Sequence, residues 1–89
     1  MKNKKAQKLR LPLVSTPEEL ELQFFTDRAT FLNFGESFLM AGYHNDKYYG
    51  AIYKFTTGKH SCEDEIKLFE ISDEFFEDNG HAIAWAMSA

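Results

Sequence analysis

One cysteine and three histidines carry the nucleophilic and soft metal-binding chemistry of this chain: Cys62, His44, His60 and His81. In His60-Ser61-Cys62 the outer two side chains point the same way on an extended backbone and could share a Zn²⁺. A structural zinc site needs about four ligands at tight spacing, and only His44 and His81 remain as distant nitrogen donors. No metal site and no cofactor is therefore expected. Cys62 with a neighbouring histidine could also form a nucleophile and its base. The chain has no Gly-x-Ser-x-Gly, phosphate loop or dinucleotide fingerprint to support such chemistry. The acids at 63–65 and 73–78 offer many carboxylates and no distinguished acid–base pair. The residues predict a protein that is not an enzyme. A small metal- or thiol-dependent enzyme built on His60 and Cys62 is one alternative.

The charge is split. Lys2, Lys4, Lys5, Lys8 and Arg10 give the first ten residues five positive charges and no acid, while the other 79 residues carry five basic and 14 acidic side chains. A +5 arm thus leads into a −9 body. Five lysine and arginine side chains attract phosphate in a salt-sensitive way. The second alternative is therefore nucleic-acid association through these five residues, with Tyr48, Tyr49 and Tyr53 stacking bases. The plainer reading is a solvated terminus. A pI near 5.3 argues against general nucleic-acid binding by the body and permits a basic partner. The stretch from Glu63 to Asp78 holds eight acids and one lysine and reads as a solvated face.

Trp85 is the single tryptophan. On a continuous C-terminal helix it lies off the apolar face, beside Glu74, Glu77, Asp78 and His81, the last two helical steps being 77 to 81 to 85. A tryptophan ringed by acids resembles a binding hot spot for a basic protein. Trp85, Glu74, Glu77, Asp78 and His81 are the expected partner contact, and regulation or inhibition of that partner is the expected function. If residues 81–87 form a strand instead, Trp85 joins the core with Ile83 and Met87.

These residues have to be positioned by elements the pattern suggests. Residues 1–14 read as an arm and 15–89 as one domain. Leu9, Leu11 and Leu13 could begin a short strand that Pro12 confines to a sheet edge. Thr16-Pro17-Glu18-Glu19 is a helix start with cap, first-turn proline and capping box. The helix is predicted over 18–33, with Phe34-Gly35 as its stop and two apolar ridges. Leu20, Phe24 and Phe31 form one ridge; Leu22, Phe25, Ala29 and Leu32 form the other. A competing reading takes Leu20 to Phe24 as an alternating strand. Residues 37–55 predict a hairpin turning at His44-Asn45-Asp46-Lys47. A loop at 57–61 leads to a third strand at 65–71, where Ile66, Leu68 and Phe69 break strict alternation. Ser72 caps a second helix, taken here as continuous to about Ser88, although Asn79-Gly80 could end it.

The expected fold is α+β: a three-stranded antiparallel meander packed on one face by two helices, in the order α-β-β-β-α, behind a basic arm. Double-stranded-RNA-binding domains share that order, but they need a basic start to the last helix, and here it reads Asp73 to Asp78. With one sheet face uncovered, its Tyr and Phe residues would meet a second copy, predicting a homodimer. A lone cysteine excludes an intrachain disulfide, and no apolar run approaches the ~18 residues of a membrane span. The chain is expected in the cytoplasm, without membrane contact.

Overall fold

The structure, a computed structural model, describes residues 9–56 and 58–89. Lys2, Lys4, Lys5 and Lys8 lie outside the described residues. The elements are β1 (Val14–Ser15), α1 (Pro17–Gln23), β2 (Thr30–Phe34), β3 (Ser37–His44), β4 (Lys47–Phe55), β5 (Ile66–Ile71) and α2 (Asn79–Ser88). The five strands form one antiparallel sheet in the order β1-β5-β4-β3-β2. This corrects the three-stranded meander; two further strands stand at the edges.

The extra long strand comes from the predicted first helix. Thr16 does cap α1, its side chain accepting from the Glu19 backbone N–H at 3.2 Å, with Pro17 in the first turn. The helix then stops at Gln23, and Arg28 takes a left-handed conformation (φ 46°) before β2 begins. Thr30-Phe31-Leu32-Asn33-Phe34 is mostly aromatic and β-branched or apolar, a composition that suits a pleated surface. Gly35 (φ 62°) does not end a helix; it is the first central residue of a two-residue turn into β3, where a positive φ matches the strands' twist. The hairpin over 37–55 is present, turning at Asn45 and Asp46, both left-handed.

The helices take opposite faces, so the expected single-face packing is also corrected. Phe38, Met40, Tyr49, Ala51, Tyr53, Ile66 and Ile71 project to one side and pack with Leu20 of α1. Leu39 and Ile52 project to the other and meet Ile83, Trp85 and Ala86 of α2. Neither face lies bare: α2 covers one, and the Tyr and Phe side chains expected on an uncovered face, Tyr49, Tyr53 and Phe38 among them, form the main core on the other, under α1. Of the two predicted ridges on α1, Leu20 is fully buried while Leu22 and Phe25 are exposed.

The second helix starts seven residues later than Ser72. Residues 72–78 cross the end of the sheet without helical structure, and Phe76 exchanges backbone hydrogen bonds with Tyr48. Asn79-Gly80 opens α2 rather than closing a helix, because Asp78 caps it: the Asp78 carboxylate accepts the His81 backbone N–H at 2.8 Å. That hydrogen bond, with the His81 ring nearby, holds the Asp78 carboxyl below the usual carboxylate range. A depressed native pKa stabilises the fold above the ordinary carboxylate pKa, and the contribution is lost as pH falls through the native value. Asp78→Asn should keep the cap and remove this acid-dependent term. Urea midpoints at neutral and acid pH will check it: the wild-type midpoint should fall further on acidification than that of the asparagine variant.

Candidate functional site

β5 carries an irregularity that builds the site. Tyr53 pairs with Leu68 and Ile52 with Glu70, so Phe69 is an extra residue in β5 opposite that step. Such a bulge re-aims the residues after it. Glu70, opposite Ile52, therefore shares the face on which α2 lies. Phe69 itself is exposed, with the Lys54 ammonium 5.0 Å from its ring centre.

Beyond β5 the chain is held by buried Ser72. The Gly50 N–H donates to Ser72 Oγ (3.1 Å), the Ser72 N–H donates to the Gly50 carbonyl (2.9 Å), and Ser72 Oγ donates to the Glu74 carbonyl (2.8 Å). This staple fixes residues 72–74 against β4. Gly50 also lets α2 approach. A Cβ there would lie 2.5 Å from Trp85 Cε3 and 2.9 Å from the Ala82 carbonyl oxygen. The result is a cleft of about 250 Å³ lined by Glu70, Ser72, Asp73, Glu74, Phe76 and Trp85.

Of the expected contact residues, the fold brings Trp85 and Glu74 together and separates the others. Trp85 is half-buried, one side on the sheet and one edge in the cleft. Glu77 instead forms an ion pair with Lys47. Asp78 is spent on the α2 cap. His81 is exposed and its Nδ1 lies 2.9 Å from the Asp78 carboxylate, not against Glu77. Glu70 and Asp73 were not anticipated. The signal for Glu70 was the broken alternation at Leu68-Phe69, which marks the bulge.

The other candidates are dispersed. Tyr49 and Tyr53 are buried, and burial pushes the Tyr49 hydroxyl up to about 12 and Tyr53 higher still. Tyr53 donates to the Pro12 carbonyl at 2.9 Å, and Tyr48 sits edge-on to Tyr43. Tyr49 and Tyr53 therefore offer no free face for a base, while Tyr48 is half-buried. Arg10 is exposed. His60 stacks on Phe55 with ring centres 4.7 Å apart, and Cys62 is exposed. Among the described residues no three His, Cys, Asp or Glu side chains group to hold a metal ion, and no helix is long and apolar enough to cross a membrane.

Residues 11–89 match the family described as nucleotide modification associated domain 4. The chain belongs to that family. No curated protein and no solved structure matches it. The nucleotide modification associated domain begins at Leu11, immediately after the basic arm, so Lys2, Lys4, Lys5, Lys8 and Arg10 all fall outside the matched residues. The whole cleft falls within them. The domain so defined carries the −9 body charge.

Proposed function

We infer that this chain is a non-catalytic accessory protein that docks onto a basic protein partner through the cleft between β5 and α2. The observation that carries this is the convergence of Glu70, Asp73 and Glu74 on Trp85 in one cleft. A guanidinium or ammonium entering there meets carboxylates and an indole together. Contact with the indole contributes about 0.5–2 kcal/mol, depending on desolvation. The −9 field of the domain steers basic surfaces toward it.

The family description supplies the setting. Proteins that handle nucleic acid carry basic surfaces, and a partner from a nucleotide-modifying apparatus would present one. Occupying that surface would restrain or regulate the partner. The exposed, unpaired-in-chain Cys62 suits a reducing cytoplasm.

Trp85 reports on its own cleft because it is the single tryptophan. Titration with a short poly-arginine peptide should change its emission saturably at low salt. Combined Glu70→Gln, Asp73→Asn and Glu74→Gln substitution should weaken that binding about ten- to hundredfold, from three ion pairs of up to ~1 kcal/mol each. Unchanged affinity in the neutralised variant would sink the assignment.

The family description also favours a second reading, nucleic-acid contact through the arm. An electrophoretic shift on RNA or DNA that disappears on removing residues 1–10 would support it; no shift at low salt would dispose of it.

A further inference from the structure

The two edges of the sheet are built differently. β1 is two residues long and follows Pro12, so that edge offers little backbone to a foreign strand. β2, at the other edge, has among the described residues a strand neighbour on one side only, and it runs five residues with no charge, no proline and no bulge. Edges of monomers are ordinarily blunted by such features, because a bare row of N–H and C=O groups templates pairing. Leu32 and Phe34 stand exposed along it at 36% and 42%.

We propose that β2 is the dimer seam: it pairs antiparallel with β2 of a second copy, about a two-fold axis at Leu32, giving a continuous ten-stranded sheet. The backbone parity fits. Phe34 and Ser37 flank the two-residue turn, so Phe34, Leu32 and Thr30 bond inward to β3 while Phe31 and Asn33 direct their N–H and C=O outward. Antiparallel self-pairing matches outward residues to each other only when Phe31 meets Asn33, Asn33 meets Phe31 and Leu32 meets Leu32, if all five residues are used.

The chemistry across the seam also fits a second copy. Leu32 faces Leu32, and Phe34 lies across from Thr30 on the same face. Elsewhere a −9 domain meeting itself sets acid against acid; this strand carries no charge.

The test uses the full chain and light scattering. The wild type should run at twice the 10.3 kDa chain mass. Leu32→Glu and Leu32→Lys should each be folded monomers by Trp85 emission, since each places like charges opposite one another on the axis. Mixing the two variants should restore the dimer, which unfolded or misfolded variants would not do. A monomeric wild type, variants that still dimerise, or a mixture that stays monomeric would each overturn the proposal.

Discussion

Gly50→Ala should loosen α2 from the sheet. The added methyl has no room: at 2.5 Å from the Trp85 ring and 2.9 Å from the Ala82 carbonyl, it overlaps both a packed indole and the helix backbone. A side chain at a crowded contact can swing away, but a helix carbonyl moves only with the helix. Overpacking of this kind costs about 1–3 kcal/mol, and the backbone contact places this case toward the upper end. Two readouts should move together. The urea midpoint should fall, and Trp85 emission should shift to the red as its sheet-side face gains water. The peptide affinity of the cleft should fall with them, since the same displacement moves Trp85 away from Asp73 and Glu74. Gly58→Ala is the control: a Cβ there meets nothing within 4 Å, and stability should stay within about 0.5 kcal/mol. Wild-type stability and emission in Gly50→Ala would mean that α2 does not lie on β4 as described.

Leu20→Ala should destabilise the protein by about 2–5 kcal/mol. α1 has seven residues, far below the ~12–15 at which a helix holds by itself. It is kept by what it buries, and Leu20, fully enclosed by the main core, is its principal anchor. Domains of ordinary stability have only ~5–15 kcal/mol in total, so the loss should be conspicuous in a urea titration. Leu22→Ala, two residues on, removes a side chain that is already 68% exposed. It should change the midpoint little. Equal losses at both positions would mean that the second ridge, not only the first, is packed.

The contrast between those leucines shows where the sequence was legible and where it was not. The cap at Thr16 and the hairpin over 37–55 rest on local chemistry: a hydroxyl before a proline, and a polar turn between apolar runs. Both could be read directly. The 3.6-residue ridge through 18–33 could not be trusted across Phe25 to Ala29, because a short helix, a turn and a strand fit the same apolar spacing. What decided it was tertiary: Thr30 to Phe34 pairs along β3, and Phe31 stacks on Phe38 of that strand at 5.7 Å. For the candidate site, Trp85 and Glu74 are expected together on a helical stripe that does not exist; they line one cleft from separate segments instead. Ser72, read as a helix cap, is a buried staple instead. Glu70 and Asp73 were hidden because their facing depends on a one-residue bulge. The irregular pattern at Leu68-Phe69 was visible, but a period-two reading treats it as noise.

The order of the strands has a further consequence, for kinetics. β2 to β5 form by successive neighbours along the chain, whereas β1 pairs Val14 with Lys67 and Ser15 with Ile66, joining the first strand to the last. Closing that large loop gains only two residues of pairing, and non-local contacts of this kind form slowly. The meander should therefore fold first and β1 dock last. By the same reasoning β1 is the place where the native protein opens first. The Leu68 amide, which donates to the Leu13 carbonyl, should exchange with solvent deuterium well before the amides shared by β3 and β4.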